Sequence, residues 1–478
     1  MKVTCQRDGL QTACSLVGSA VAARTTKPVL SNVKATAQGD GLTLVATDTE
    51  VGIRYELRGI LVGRPGSAIL PIAQLSQILR ESGDADISLD SDDSGTKVKV
   101  GTSRFEMPGY PVDEFPDLPA FDDGGRYHEI TAGVLRTMIR RTSFAADKKD
   151  STRFALSGVL WEAEGKIARL VATDSKRLAV CEGPATLYGP ADGTKASHLV
   201  PAKTMQLLAQ NLTDDGELVR VALRPNEALF QTERAMIYSQ LVSGRYPPYR
   251  DIIGQTKKGA SVRVSLPVPA FMSRVRQAAI MTDDESKRVD MTFEPGRVSM
   301  QARGADTGSS EVELPLPEYD GPEVRIAFDP QYLVEFLKAL EGEPVVTLEM
   351  SDGTKPALFR CGDQYQYLVM PLAGYSMADG NKGPESIADI LGRLFTSRGW
   401  GRKTDRLNLE AAWAAAAGPD VAAQTKVLGF RRGVLEVEVR SGPLLHELTQ
   451  YHKRALLGKL RPALPAVTLT DLKFRAGA

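Results

Sequence analysis

The side chains able to do chemistry are few in this sequence, and their spacing argues against catalysis. His446-Glu447-Leu448-Thr449-Gln450 approaches a zinc-protease motif, but its fifth position is Gln450, and His452 lies six residues from His446, off the zinc spacing. The other histidines are His128 and His198, and no spacing links the four as ligands. The acid pairs Asp92-Asp93, Asp122-Asp123 and Asp283-Asp284 could hold a divalent ion that activates water, but each falls in a turn, where solvated surface is the ordinary role. There is no G-x-x-x-x-G-K-[ST] phosphate loop, no G-x-S-x-G and no G-x-G-x-x-G. Cys5, Cys14, Cys181 and Cys361 are scattered without a C-x-x-C pair and read as free buried thiols of a reducing cytoplasm. The expectation is a chain with no catalytic residue, no metal site and no cofactor. A metal-dependent nucleic-acid hydrolase working through the acid pairs is the alternative.

At 478 residues the chain has room for roughly three to four domains. No apolar run reaches the ~18 residues that a membrane span needs. Met1–Leu10 carries Lys2, Arg7 and Asp8 with no apolar stretch behind them, which predicts no signal peptide and a cytoplasmic location. Basic and acidic residues balance at 59 each, but unevenly along the chain. From Glu385 onward 15 Lys and Arg face 9 Asp and Glu, a net of +6, which leaves −6 for the first 384 residues. An acidic body with a basic appendage invites a polyanionic partner for the appendage.

The first 375 residues repeat. The pentapeptide Leu-Val-Ala-Thr-Asp occurs at Leu44–Asp48 and again, 126 positions on, at Leu170–Asp174. In the second copy Leu170–Cys181 reads as strand, polar turn and strand, because Asp174 can bond its own backbone and reverse the chain. Each third has the same order of parts. An early helix is predicted at Asp8–Val21, Thr131–Ala145 and Pro267–Met281, then a strand pair at Gly41–Tyr55, Ile167–Cys181 and near Arg297–Gly304. A second helix follows, opened by Pro71, Pro201 or Pro330 near its first turn, where a missing N–H costs nothing. Strands close each unit at Lys97–Met107, Leu229–Val242 and Thr347–Leu372. Such tandem units can close into a ring when the end of one chain pairs with the start of another, and exposed edge strands are the obvious glue.

Three motifs then fall in one order: Val171-Ala172-Thr173-Asp174 with Arg177-Leu178-Ala179-Val180; Leu241–Pro247 with Tyr249-Arg250; and Tyr367–Leu372. In this the sequence from Met1 to about Gly374 resembles the beta subunit of bacterial DNA polymerase III, the sliding-clamp family. The resemblance implies an α+β fold of three tandem DNA-clamp domains, 1–125, 126–253 and 254–374, and a head-to-tail ring homodimer with helices lining the hole. It implies a non-catalytic processivity factor that encircles double-stranded DNA. Its partners would be the polymerase III catalytic subunit, the clamp loader and other proteins with clamp-binding motifs, with no membrane involved. Carried over by motif, the peptide pocket is Thr173, Leu178, Pro247, Ile252, Leu368, Met370, Pro371 and Leu372, with Arg177 at the rim. Lys176, Asp251 and Lys355-Pro356 depart from the family pattern. DNA contacts would come from Arg24, Lys149, Arg153 and Lys203, and Arg136, Arg140 and Arg141 also cluster. The apolar dimer joint would use Phe105, Met107, Ile280 and Met281.

The chain then continues where the family stops. A small, Gly-rich stretch ending at Pro384 reads as a flexible linker, 375–384. In 385–478, helices are predicted at Ser386–Thr396, Asp405–Ala417 and Pro443–Leu460, and strands at Leu435–Val439 and Val467–Arg475. The pattern Trp413…Gly418…Thr425…Leu435-x-Val437-x-Val439…Leu444…Leu448 resembles the DciA-like domain, which implies a small KH-like α/β fold tied to the replicative helicase and to DNA. Basic residues group as Arg393, Arg398, Arg402, Lys403 and Arg406, as Arg431 and Arg432, and as Lys453, Arg454, Lys459 and Arg461.

Overall fold

A computed structural model describes residues 1–372 apart from 23, 93, 148–154, 190–195, 284–286 and 305–306. Beyond 372 it describes 413, 417–418, 421–422, 424–431, 434–439, 448, 456–457, 460 and 471–476. The linker 375–384, Lys149, Arg153 and most of the appended basic groups lie outside these residues. The chain forms two compact units, Met1–Pro384 and Glu385–Ala478.

The first unit repeats one plan three times. Among its described residues there are three helix pairs: α1 (Arg7–Gly18) with α2 (Ile72–Glu81), α3 (Ala132–Thr142) with α4 (Ala202–Asn211), and α6 (Val268–Ala279) with α7 (Pro330–Ala339). Each helix buries one apolar stripe. In α1 it is Leu10, Ala13, Cys14 and Val17, the i, i+3, i+4, i+7 spacing of a single face. The prolines sit where their missing N–H is harmless. Pro71 and Pro201 precede their helices, and Pro330 opens α7 while the Asp329 carboxylate accepts from the Gln331 N–H. One continuous apolar cluster runs through all three repeats, with Trp161, Phe230, Phe271, Phe336 and Tyr367 fully buried.

The echoed pentapeptide forms the same turn twice. Thr47 Oγ1 donates to the Val51 carbonyl at 2.7 Å, and Asp48 Oδ1 accepts from the N–H groups of Glu50 and Val51. Thr173 Oγ1 donates to the Arg177 carbonyl at 2.6 Å, and Asp174 Oδ1 accepts from Lys176 and Arg177. The residue after each aspartate adopts positive φ, 80° at Thr49 and 75° at Ser175. The side-chain bonds hold each turn in the left-handed region that a non-glycine residue seldom visits.

The sheets cross the repeat boundaries. In a nine-stranded sheet, Val51–Arg58 of the first repeat pairs antiparallel with Ala235–Gln240 of the second. In an eight-stranded sheet, Arg177–Pro184 of the second pairs with Tyr365–Val369 of the third. Each joint therefore sets the closing strand of one repeat against the strand after the turn of the preceding repeat. Of these two strand types, one of each is left at a sheet edge: Ser103–Pro108, which closes the first repeat, and Gly308–Leu316, the later strand of the third repeat's pair.

Two sequence expectations need correction. The third strand pair is not confined to Arg297–Gly304. That segment is one strand, Gly296–Gly304, and its partner is Gly308–Leu316. The segment after Tyr246-Pro247 is a helix, α5 (Tyr249–Gly259), and it runs across the expected 253/254 boundary. Two prolines at its start and a short apolar stripe, Ile252 and Ile253, hid it; the helix packs on strands of the third repeat.

In the appended unit Thr425–Arg431 pairs antiparallel with Val434–Val439, which pairs parallel with Asp471–Ala476. A parallel pair demands a long crossover, and Leu448, Leu456 and Leu460 of that crossover are buried with Trp413, Leu435 and Val437. Trp413 Nε1 donates to Thr425 Oγ1 at 2.8 Å, which satisfies the one polar atom of the indole.

Candidate functional site: the second joint, the inner helices and the open edges

The second joint gathers the residues that the motifs singled out. Leu178 faces Thr173 on one neighbouring strand and Leu368 on the other. Beyond the ladder, the Met370 N–H donates to the Lys176 carbonyl at 2.9 Å, which ties the strand's tail to the turn. Leu372 then binds back to the third repeat through its N–H and the Ala327 carbonyl. Pro247 and Ile252 arrive from the connection. Tyr249 Oη and Arg250 Nη2 both donate to Glu162 Oε2 at 2.6 Å in the second repeat, while α5 packs on strands of the third. Thr173, Leu178, Pro247, Ile252, Leu368, Met370 and Pro371 are buried, and Leu372 is half-buried. The result is an apolar seam with few polar groups, bounded by α5 and by the exposed Lys176.

Arg177 does not stand at the rim; its side chain is 4 % exposed. Its Nε donates to Asp174 Oδ2 at 2.8 Å, its Nη1 pairs with Glu335, and its Nη2 donates to the Phe144 carbonyl at 2.9 Å. The guanidinium lies 4.5 Å from the centroid of the Tyr332 ring. Burial opposes its charge, but Tyr367, Asp174 and Glu335 more than offset this, and its pKa rises above the ordinary guanidinium value. Burial also pushes the Asp174 carboxyl above its usual range, against the pull of Arg177. Arg177 thus joins the second repeat (Asp174, Phe144) to the third (Glu335, Tyr332). Sequence position alone could not separate a rim residue from a joint residue, since both follow the same turn.

The helices carry a separate feature. Lys203 is exposed in the first turn of α4, with Nζ 3.5 Å from Asp48 Oδ2, and Arg24 is exposed just beyond α1. Arg136 pairs with Asp215, and Arg141 pairs with Glu343 at 2.6 Å with only 13 % of its side chain exposed. These two are therefore structural contacts first. Arg140 is exposed on α3. The motif reading missed Arg80 on α2, Arg276 on α6 and Lys338 on α7, each exposed. Their signal was present in the sequence as basic residues between the apolar positions of predicted helices. Together, all six paired helices, or the segment just after one, present an exposed base.

At the open edges, Phe105 is 38 % exposed on Ser103–Pro108, and Met107 is buried on the same strand. A hollow of about 550 Å³ lies beside them, lined also by Gln77, Ile78 and Glu81 at the end of α2. Ile280 is 69 % exposed at the end of α6, the helix that packs on the other open strand, and Met281 is half-buried. One free edge thus has an exposed apolar tip beside it, and the other a hollow. Among the described residues no cluster of three or more His, Cys, Asp or Glu could hold a metal ion, and none of their helices is long and apolar enough to cross a membrane. Asp122 caps a turn through the Gly124 N–H, and Asp123 pairs with Arg220.

Comparison with known proteins decides the family. Over 375 residues the chain is 30% identical to the beta sliding clamp of Pseudomonas putida, covering 78% of this chain and 100% of that one. The chain belongs to the bacterial beta sliding clamps. The N-terminal, central and C-terminal domain models of the DNA polymerase III beta subunit match residues 1–119, 129–248 and 258–373. The clamp of Bacillus subtilis is 26% identical over 389 residues, with 78% of this chain and 100% of that one covered. Among solved structures, the Pseudomonas aeruginosa DnaN clamp bound to griselimycin superposes with a TM-score of 0.73 at 28% identity, covering 78% of this chain and all of that one. Residues 386–474 match a further family, described as Dna[CI] antecedent, DciA. The chain is a DNA sliding clamp fused to a DciA domain, and its clamp body is a non-catalytic processivity factor of DNA polymerase III. Nothing in the comparisons supports the hydrolase reading.

Proposed function

We propose that two copies of this clamp close head to tail, Ser103–Pro108 of one against Gly308–Leu316 of the other. The observation that carries this is the edge pattern: both internal joints pair these same two strand types, and one of each is left over. Phe105 and Met107 would receive Ile280 and Met281 of the second copy. Duplex DNA would pass through the ring against Arg24, Lys203 and the exposed bases of the other helices, with Lys149 and Arg153 adding to them by motif. Contacts of this kind hold phosphate without reading sequence, as sliding requires. The seam at Leu178, Leu368 and Met370 would take linear peptides of the polymerase catalytic subunit, the clamp loader and other clamp-binding proteins, and griselimycin as well. The domains would run 1–125, 126–253 and 254–374, with a linker at 375–384. The DciA domain, 385–478, would bring the replicative helicase or DNA to the clamp in the cytoplasm.

The test is topological. Clamp loaded on nicked circular DNA should co-elute with the circle in gel filtration at high salt and leave when the circle is linearised. Equal retention on linear DNA would disprove encirclement. For the appended domain, pulldown of the replicative helicase by the full chain should fail after deletion of 385–478.

A further inference from the structure

The two internal joints superpose residue by residue through their ladders. Leu178 faces Leu368 in the second joint, and Gly52 faces Tyr238 in the first. Arg177 faces Val369, and Val51 faces Ser239. Gly52 therefore stands where Leu178 stands, Tyr238 where Leu368 stands, and Gln240, Leu241 and Val242 where Met370, Pro371 and Leu372 stand. The outgoing connection repeats as well, with Tyr110-Pro111 leaving the first repeat as Tyr246-Pro247 leaves the second. The first joint thus carries counterparts of the strand walls of the docking seam, while the place of α5 is taken by an irregular connection.

Two observations show what has become of it. A hollow of about 660 Å³ is open along the strand tail, lined by Tyr238, Gln240, Leu241, Val242, Asn226 and Pro225. Next to it, over Gly52, the connecting segment lays down Leu118. A Cβ built on Gly52 would lie 2.6 Å from Leu118 Cδ2, so Leu118 fills the space that a side chain at 52 would take. Leu118 is 9 % exposed and packs with Ala222, Leu229 and Met236. Its segment is clamped by main-chain acceptors: Arg54 Nη2 donates to the Leu118 carbonyl at 3.2 Å, and Arg224 Nη2 to the Ala120 carbonyl at 3.3 Å. Farther on, Arg220 lies over the Phe121 ring at 5.2 Å and pairs with Asp123. Residues 116–122 form no helix and no strand. This is an irregular linear segment with an apolar anchor, seated in a groove equivalent to the docking seam.

We propose that the first joint is a second docking groove for linear peptides with a bulky apolar anchor, held shut by Leu118 of the chain's own connection. The proposal rests on the reading of the second joint as a peptide seam. Gly52 marks the difference: with no side chain there, Leu118 seats against the sheet, in a place that Leu178 fills with its own side chain at the second joint. The groove is a self-occupied site, and it opens when Leu118 is removed or displaced.

The probe is a fluorescein-labelled synthetic peptide of residues 115–122, titrated by anisotropy into the full chain. Wild type should give no saturable binding, because the tethered copy competes at an effective concentration in the mM range. Leu118→Ala should gain one site per protomer, and the same peptide carrying alanine at Leu118 should bind at least tenfold more weakly. Leu118→Ser, which also removes the anchor, should gain the site as well, so the outcome does not depend on one variant's folding; adding Gly52→Ala to either should abolish the binding, because its Cβ takes the anchor's space. Binding in both Leu118 variants should survive Met370→Ala, which alters only the seam. If both variants fold, by thermal melting, and neither gains saturable binding, the first joint is packing alone and the proposal fails. The reading of the seam is checked separately by griselimycin binding to wild type. That binding should be weakened by Met370→Ala; no binding to wild type, or binding unchanged by Met370→Ala, would sink the seam without touching the peptide result.

Discussion

The two internal joints share a backbone and differ in chemistry. At the first, Val51 faces Ser239, and Ser239 shares a buried hydrogen bond of 2.9 Å with Thr204 of α4. At the second, the same positions hold Arg177, Val369 and Tyr332, and the cohesion is ionic and cation–π: Arg177 with Asp174 and Glu335, stacked on Tyr332. Identical ladders therefore do not make identical interfaces. A quiet joint needs only shape, so small side chains pack and Leu118 fills the remainder. At the second joint a buried charge with partners in both repeats supplies the cohesion.

The sharpest way to break that comparison is Arg177→Ala. It strands Asp174 and Glu335 and should cost about 3–5 kcal/mol, read as a lower urea midpoint for the third repeat. A loss below about 1 kcal/mol would mean that the ionic joint contributes little. Val51→Ala, the matching change at the first joint, should cost only about 2 kcal/mol from two lost methyl contacts. The ranking of the two is the measurement that matters.

The second repeat belongs to both joints, so weakening it should loosen both together. His128 and His198 are held below the ordinary imidazole value, by burial first and then by Arg126. Their folded pKa values lie below the unfolded value of about 6.5. The stability they contribute is therefore complete above that pH and is lost as pH falls through the folded values. Chemical denaturation between pH 7.5 and 5 should show this decline, and His128→Gln with His198→Gln should flatten it.

Lys203→Ala should have the smallest effect on stability, within about 0.5 kcal/mol, because its pair with Asp48 is exposed. Its effect belongs in the salt dependence of DNA binding, whose slope should fall by about one. The thiols offer a control that the joints are closed. Burial pushes Cys5, Cys181 and Cys361 up to about 11 and Cys14 to about 12. Alkylation at pH 7.5 should be slow in the folded chain and fast for all four in urea.

Much of this was legible in the residues. The pentapeptide at Leu44 and Leu170 marked the repeat and both turns, since Thr and Asp side chains satisfy the turn locally and need no tertiary help. The six paired helices were visible because their apolar spacing is a property of single segments. The helix α5 was not, because two prolines precede it and its buried face is short. The third repeat has no such motif near Gly304, yet its strands Gly296–Gly304 and Gly308–Leu316 keep the ladder.

By itself the sequence determined the repeated units, their order and the pool of basic residues, which are written in local spacing, and it pointed to the family through the resemblance of three motifs. Only the tertiary structure decided which strand edges meet and which stay open, that Arg177 is a tie between repeats and not a rim residue, and that Leu118 rests on Gly52. Those facts depend on contacts between residues 60 to more than 150 positions apart. No local pattern encodes them, because the same turn or connection serves a joint, a rim or a plug according to what packs against it.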